Sequence, residues 1–450
     1  MNMKKNTLFT LMPVLFLGIA GFVIFKYQQD EKRKATAMYE LQDRRGPSAT
    51  SAEWALTKSN FTKLSNAVKA DGSDTKSMIA LANLFIMEGR ATGNYAYYDM
   101  AAMRYVNTIL KKESENFEAL TLKSLLYLSQ HHFAEGLVLA KKAKAINPYN
   151  AFVYGISLDG NVEMGNYDSA LVDAEKMISI RPDLRSYSRA SYLREIHGDY
   201  PGAIQAMKLA VESGASGDES TEWSRIQLGH LYEYTGDIKN AEMHYRIALE
   251  ERPGYAYALA GLARIALSTK DYGAAINLYK QADSSAMDNS FKEELAEVYL
   301  LSGQKDKSTE LSRKVIEEMN KNSKGDNGDE NIGHYADREL AYAYLKTGEY
   351  DKALDHAMME YNRRPLNIDV NETVAWVYYK KGDYAKAQHY QQVALRTNSR
   401  NPTLLCRTGL IWLKNGDKIK AKEYLQQGLK NDPNIGEALK MESTIALNTI

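Results

Sequence analysis

One nine-residue phrase recurs along the chain, and its spacing constrains the fold more than any other feature. "IHGDYPGAI" occupies residues 196–204, and the phrase returns as "KTGEYDKAL" at 346–354 and "KKGDYAKAQ" at 380–388. Six of the nine intervals between successive copies are 33 or 34 residues. A fixed period of this length predicts a solenoid of stacked helical units. The copies, including weaker forms of the phrase, are marked at Gly89, His131, Gly165, Gly198, Gly236, Lys270, Gly303, Gly348, Gly382 and Gly416.

Within each period the residue pattern predicts a helix, a turn and a second helix. Apolar residues at helical spacing, such as Leu228 and Tyr232, precede the turn, and a second apolar-periodic stretch follows it. Proline in five units ends the second helix, at Pro148, Pro182, Pro253, Pro365 and Pro433. A small side chain after each turn predicts close approach of two helices, at Ala102, Gly136, Ala170, Ala203, Ala241, Ala275, Ser308, Ala353, Ala387 and Ala421.

The three longer intervals contain insertions rich in Gly, Asn, Asp and Ser, which predict loops. They are "ATGNYAYY" after Gly89, "SGASGDES" at 213–220 and "NSKGDNGDENI" at 322–332. The repeated "GDY" itself is predicted to be a corner between paired helices. A phosphate loop would follow a strand and contain GxxxxGK[ST], and the phrase meets neither condition.

Composition argues against several kinds of site. Basic and acidic residues balance at 57 each, so no global field attracts nucleic acid. Cys406 is the single cysteine, so an internal disulfide is excluded and no zinc-binding cysteine cluster exists. His131 and His132 are the only adjacent histidines. We expect them in a solvated corner, with a weak metal site as the alternative, and we expect no cofactor.

The N-terminus contains an 18-residue stretch without a charged residue, from Leu8 to Phe25. This length is just enough for an apolar helix to cross a bilayer. We expect residues 1–26 to be a single-pass membrane anchor, with a cleaved signal peptide as the alternative. Orientation stays open because basic residues flank both ends, although a lysine-flanked N-terminal segment favours repeats outside the cytoplasm. Residues 27–74 are predicted to be a tether.

The repeat resembles the tetratricopeptide repeat, and the resemblance covers about residues 75–435. The best unit is "WSRIQLGHLYEYTGDIKNAEMHYRIALEERPGY", in which eight positions match the family pattern: Leu228, Gly229, Tyr232, Gly236, Ala241, Tyr245, Ala248 and Pro253. Asn161, Arg194 and Glu360 depart from the pattern. The resemblance implies an all-α superhelical solenoid of about ten helical pairs, followed by a capping helix over 436–450. With an apolar segment before its repeats, the chain resembles bacterial membrane-anchored proteins of this family.

In this family the first helices of successive units line a concave groove that binds peptides or extended segments. The resemblance therefore implies a partner-binding groove at Arg189, Tyr192, Glu195, Trp223, Gln227, His230, Tyr234, Tyr257 and Arg264. It implies a secondary groove at Arg338, Glu339, Tyr342, Trp376, Lys380, Arg407 and Lys414. The alternative is that the aromatic residues pack neighbouring helices while the arginines form surface ion pairs.

The repeats use most of the chain and leave no segment long enough for a catalytic domain, so we expect no enzymatic activity. The favoured function is a membrane-anchored scaffold that binds a protein or peptide partner in its groove. The alternative is a regulatory or substrate-presenting subunit of an envelope enzyme, with catalysis on the partner.

Overall fold

The computed structural model describes residues 39–325, 330–431 and 435–450, together with residues 16, 19–22 and 25–26. Helices account for all the regular secondary structure in these residues. A short 3-10 helix, Gly46–Thr50, precedes helix α1, Ala52–Ala70. Ten antiparallel helical pairs follow, and a final helix, α22, spans Glu437–Asn448. The predicted all-α solenoid is therefore confirmed.

The first five pairs comprise helices α2 to α11. Their bounds are α2 Thr75–Thr92 and α3 Tyr95–Lys112, α4 Phe117–Ser129 and α5 Phe133–Ile146, α6 Ala151–Glu163 and α7 Tyr167–Ile180, α8 Leu184–Ile196 and α9 Tyr200–Glu212, α10 Glu219–Tyr234 and α11 Ile238–Glu251.

The second five pairs comprise helices α12 to α21. Their bounds are α12 Ala256–Ser268 and α13 Tyr272–Ser285, α14 Asn289–Leu301 and α15 Lys305–Asn322, α16 Asp337–Thr347 and α17 Tyr350–Arg363, α18 Ile368–Lys381 and α19 Tyr384–Ala394, α20 Pro402–Lys414 and α21 Lys418–Asn431.

The "GDY" phrase forms the corner between the two helices of a pair, as predicted. Gly198 has a φ of 78°, in the left-handed region where glycine has no Cβ penalty. The Asp199 carboxylate then accepts a hydrogen bond of 3.0 Å from the backbone N–H of Gly202 and caps α9. Tyr200 follows as the first residue of α9 and is buried. Each residue of the phrase therefore has a structural role in the corner.

The first corner lies at Gly93 and not at Gly89, where the sequence pattern marked it. Gly89 is inside α2, whereas Gly93 has a φ of 72° and ends that helix. Thr92 and Asn94 flank the corner, and the backbone N–H of Gly93 bonds the carbonyl of Gly89 at 2.9 Å. The predicted insertion therefore begins with one more turn of helix.

The small residues after the corners lie where paired helices approach most closely. Ala170, Ala203 and Ala241 have no exposed surface. At Gly136, a Cβ would lie 2.9 Å from the Leu128 side chain of the facing helix. The proline prediction holds at Pro148, Pro182, Pro253 and Pro365, each of which follows a second helix. Pro433 lies outside the described residues.

Helix α1 belongs to the part of the chain expected to be a tether, and it packs on α2. Trp54 and Phe61 of α1 are buried, and the Phe61 ring meets Phe85 of α2 edge-on at 5.9 Å. Just before it, the buried guanidinium of Arg44 forms an ion pair of 2.5 Å with Glu88 of α2. The domain boundaries given above remain predictions.

Successive turns of the solenoid touch each other. Arg252 pairs with Glu53 at 2.8 Å across a separation of 199 residues. The Asn367 side chain donates a hydrogen bond of 2.9 Å to the Glu163 carbonyl, 204 residues away. Because the separation stays near 200 residues along the chain, one superhelical turn takes about six repeats of 34 residues. The first and second superhelical turns are therefore in direct contact.

The predicted membrane location needs correction. No helix among the described residues is long and apolar enough to span a membrane. This finding contradicts the single-pass location, because crossing a bilayer takes about 20 predominantly apolar residues in one helix. Most of the segment from Leu8 to Phe25 lies outside the described residues, and so does the stretch 27–38.

The close approach at Ala241 predicts a large cost for a bulky side chain there. Ala241→Trp places an indole where α11 meets α10 with no free surface, so we expect the free energy of unfolding to fall by about 2–3 kcal/mol. Urea unfolding followed by circular dichroism measures this change. Lys239→Trp is the matched control, because Lys239 is an exposed residue of the same helix. Equal stability of the two variants would contradict the assigned packing.

Candidate functional site

The inner side of the solenoid contains a cavity of about 540 Å³. Its walls come from α8, α14, α16, α18 and α20, which are the first helices of their pairs, and from the approach to α20. The lining residues are Tyr192, Glu195, Ile196, Ser290, Glu293, Arg338, Glu339, Tyr342, Lys346, Ile368, Asp369, Glu372, Ala394, Ser399, Asn401, Thr403, Leu404 and Arg407.

The cavity exists because the two turns meet. Tyr192, Glu195 and Ile196 belong to α8 in the first turn, whereas Asp369 and Arg407 belong to the second. Next to the cavity, the backbone N–H of Ile368 donates a hydrogen bond of 3.0 Å to the Tyr167 hydroxyl of the first turn. Contact between the turns therefore sets the distance between the opposite walls.

One wall is a hydrogen-bonded network built on Arg407. The guanidinium of Arg407 donates to Glu372 at 2.6 Å and to the Tyr342 hydroxyl at 2.9 Å. The same hydroxyl donates to the other carboxylate oxygen of Glu372, also at 2.9 Å. Burial, together with the charge of Glu372, raises the pKa of Tyr342. The network is neutral overall and fixes the Tyr342 ring in the wall.

A second part of the lining, the acidic wall, consists of Glu195 from the first turn and Asp369 from the second. Glu195 and Asp369 form no ion pair or side-chain hydrogen bond within the part of the chain that the structure describes. Burial, and then the neighbouring charge of Asp369, raise the pKa of Glu195 to about 7. A carboxylate beside a second carboxylate is stabilised by a proton or by a cation, and Arg338 supplies part of that positive charge to Asp369. This wall is therefore suited to a positively charged group.

Four further charged residues complete the lining: Glu293, Arg338, Glu339 and Lys346. Lys346 and Glu293 form an ion pair of 3.4 Å and so neutralise each other. Arg338 lies over the Tyr342 ring at 5.6 Å, and Asp369 is one of the charges acting on it. The lining holds five acidic and three basic side chains, so the charge left unneutralised is negative.

The structure brings six of the predicted groove residues together in this cavity. Tyr192 comes from the predicted main groove, and Arg338, Tyr342 and Arg407 come from the secondary groove. Glu195 and Glu339, which the same family positions gave, also line it. Residues predicted for two separate grooves therefore share one site.

The other residues of the predicted main groove lie on α8, α10 and α12 and contact the protein itself. Arg189 forms an ion pair of 2.6 Å with Asp159, and Arg264 forms one of 3.1 Å with Glu233. The half-buried Trp223 ring meets Tyr257 edge-on at 4.9 Å, and Tyr257 meets Phe291 in the same way at 5.4 Å. These contacts link three successive first helices.

Gln227 and His230 of α10 are half-buried between those residues. Burial, and then the charge of Arg264, lower the pKa of His230 well below its ordinary value. In the secondary groove, Trp376 is buried and stacks on Tyr379 at 4.8 Å. Lys380 forms an ion pair of 3.0 Å with Glu442. Neither Trp376 nor Lys380 lines the cavity.

Sequence reasoning missed the acidic residues Asp369 and Glu372, as well as Glu293 and Lys346. Asp369 and Glu372 lie one helical turn apart at the start of α18. The family pattern places groove residues later in this helix, at Trp376 and Lys380. No signal in the sequence shows that α18 faces α8, because that contact joins two turns of the superhelix.

Residues 226–290 match a family model described as "Tetratricopeptide repeat". This segment begins in α10, includes α11 to α13 and ends as α14 begins, and it contains most of the unit that best fitted the pattern. The chain contains tetratricopeptide repeats. None of the curated proteins compared with the chain matches it.

Among solved structures, the repeat chain is similar to three helical proteins. PilW, described as a widely conserved type IV pilus biogenesis factor, is 14% identical with a TM-score of 0.37, covering 45% of this chain and 92% of PilW. The APC/C hetero-tetramer Cut9-Hcn1 is 13% identical with a TM-score of 0.38, covering 87% and 74%. A human IFIT1 dimer with m7Gppp-AAAA is 12% identical with a TM-score of 0.45, covering 84% and 87%. At these values the similarity supports no inference about ligands.

The raised pKa of Glu195 predicts a pH-dependent stability. Between its ordinary pKa of 4.5 and about 7, the folded protein binds more protons than the unfolded chain, so this group makes stability fall as pH rises. Glu195→Gln should therefore stabilise the protein relative to the parent, increasingly from pH 4.5 to 7 and constantly above that. Thermal melts at pH 5 and pH 8 measure the difference.

Glu250→Gln is the control, because Glu250 is exposed on the outer helix α11. A stability difference between Glu195→Gln and the parent that is the same at both pH values would contradict the assignment of Glu195 to a buried acidic wall.

Proposed function

We propose that the chain is a non-catalytic scaffold that holds an extended segment of a protein partner along the inner side of its solenoid. A basic side chain of that partner enters the cavity and lies against Glu195 and Asp369. The remainder of the segment follows the first helices past Trp223, Gln227 and Tyr257.

The single observation that supports this proposal most strongly is the unneutralised acidic wall. Arg407 already forms an ion pair with Glu372, and Lys346 already forms one with Glu293. Glu195 and Asp369 form no ion pair in the described part of the chain, although the charge of Arg338 acts on Asp369. A lysine or arginine side chain of a partner would supply that charge and bond the carboxylates at short distance.

The form of the site favours an extended protein segment. The cavity opens on the inner side of a wall of parallel first helices, a surface that tetratricopeptide repeats typically use for protein binding. Aromatic rings at Tyr192 and Tyr342 supply apolar area for the stem of a long basic side chain. The ordered network of Arg407 and Tyr342 fixes this surface before a ligand arrives, which lowers the entropy cost of binding.

Binding to peptide libraries with one fixed central residue tests the proposal. We expect eleven-residue peptides with randomised flanks to bind with a clear preference for central lysine or arginine over norleucine or glutamate. Fluorescence anisotropy with the full chain measures the affinity. Glu195→Gln and Asp369→Asn should each weaken binding of the lysine library by about 1–3 kcal/mol.

Glu250→Gln serves as the control and should bind like the parent, since Glu250 is exposed on an outer helix. Preference for the norleucine or glutamate library would contradict the acidic anchor. Binding of the lysine library that is unchanged in both cavity variants would place the segment elsewhere on the protein.

A further inference from the structure

Three of the eight histidines in the chain meet where the second turn of the solenoid touches the first. His131 and His132 form the corner between α4 and α5, and His334 lies in the loop before α16. The His131 and His334 rings are 4.2 Å apart between centroids. The His132 ring stacks on Tyr335 at 3.9 Å. His132 is buried and His131 is half-buried, which corrects the expectation that these two residues lie in a solvated corner.

The histidines connect the two turns by hydrogen bonds to backbone carbonyls. His131 Nδ1 lies 2.8 Å from the Tyr335 carbonyl, and His132 Nε2 lies 2.9 Å from the Gly333 carbonyl. Because a carbonyl only accepts, both ring nitrogens donate. His334 bonds the backbone of Ser129 in the opposite direction, from the second turn to the first. The backbone N–H of Tyr335 adds a bond of 3.2 Å to the Gln130 carbonyl.

Charged groups surround the cluster on every side. Arg364 lies over the Phe133 ring at 4.6 Å, and that ring stacks on His131. Arg363 lies over the Tyr335 ring at 4.2 Å. Two acidic groups act on the rings directly: Glu135 lies 3.9 Å from His132, and the charge of Glu339 acts on His334. Two others neutralise the arginines, since Glu163 pairs with Arg364 and Asp337 pairs with Arg363.

We propose that His131, His132 and His334 form a pH-sensitive clasp between the two turns, which holds while the His334 ring is neutral and opens when that ring is protonated. A neutral ring donates the one proton that each carbonyl bond needs. A protonated His334 ring adds a charge 4.2 Å from the His131 ring in a largely desolvated site, where the charged form is disfavoured. This device concerns the joining of the turns, and it is independent of the ligand proposed for the cavity.

The acidity of His334 supports the direction of the effect. Burial, and then the charges of His131 and His132, lower the pKa of His334 to about 4. A histidine whose pKa is lower in the closed form stabilises that form above its ordinary pKa of 6.5, and this stabilisation is lost as pH falls from 6.5 towards 4. Glu195 acts with the opposite sign, so the two groups are distinguishable.

Hydrogen–deuterium exchange of the full chain at pH 7.5 and pH 5 tests the clasp. After correction for intrinsic exchange rates, we expect protection of segments 129–133 and 333–336 to fall about tenfold or more at the lower pH. Protection inside α21 should stay constant, because that helix contains no histidine and lies away from the cluster. An equal loss of protection in α21 would show global unfolding and overturn the proposal.

The second part of the experiment uses variants whose side chains keep an N–H hydrogen-bond donor but cannot be protonated. We expect the triple variant His131→Asn, His132→Gln and His334→Gln to keep protection in both segments at pH 5. Asparagine suits position 131 because this residue has a φ of 62°. His334→Gln alone should remove most of the pH dependence and is available if the triple variant does not fold.

His389→Gln is the matched control, since His389 is exposed on α19, and it should lose protection as the parent does. A parent protein with no pH-dependent change in the two segments would overturn the clasp. So would a triple variant in which protection falls as much as in the parent.

Discussion

The contact between successive superhelical turns is the constraint on which the functional surface depends. A helical pair contacts its neighbours in sequence at any curvature of the solenoid. Residues about 200 positions apart meet only if the small rotations between successive pairs add up to one superhelical turn. The contact includes several polar bonds: Arg364 bonds Glu163, Asn367 bonds two carbonyls of α6, and Arg396 bonds the carbonyl of Gly165. Directional bonds of this kind fix one register between the turns.

The cavity follows from that register. Its acidic wall combines Glu195 of the first turn with Asp369 of the second, two carboxylates that repel each other. The contact between turns holds them together, and the charge of Arg338 offsets part of the repulsion at Asp369. Unfavourable charge held in place by the surrounding structure is a common property of binding sites. A cation from a partner would remove the repulsion.

The local fold was predictable from the sequence because the residues of each repeat determine its own two helices and the corner between them. At the corner 198–200, glycine in the left-handed region is followed by an aspartate cap and a buried tyrosine, and a small residue, Ala203, allows the paired helices to approach. The first corner was misplaced because Gly89 and Gly93 are both compatible with the pattern. Tyr192, Arg338, Tyr342 and Arg407 were predicted from their positions on first helices.

The site as a whole was not predictable, because it depends on contacts between turns. Asp369 and Glu372 occupy the start of α18, and only the superhelical pitch brings them opposite α8. The environment of His131 and His132 also depends on contact between the turns. The loop before α16, about 200 residues further along the chain, packs on both histidines. The period of 34 residues determines the repeat but leaves the rotation between repeats undetermined.

A double-mutant cycle between Glu163 and Arg364 tests the contact between turns most directly. These residues are 201 positions apart and form an ion pair across the two turns. Urea unfolding of Glu163→Gln, Arg364→Met, the double variant and the parent gives the coupling free energy. If the turns touch in solution, the coupling is about 1–3 kcal/mol, as for residues in contact. Additivity within about 0.5 kcal/mol would mean that the turns are separate and would contradict the account.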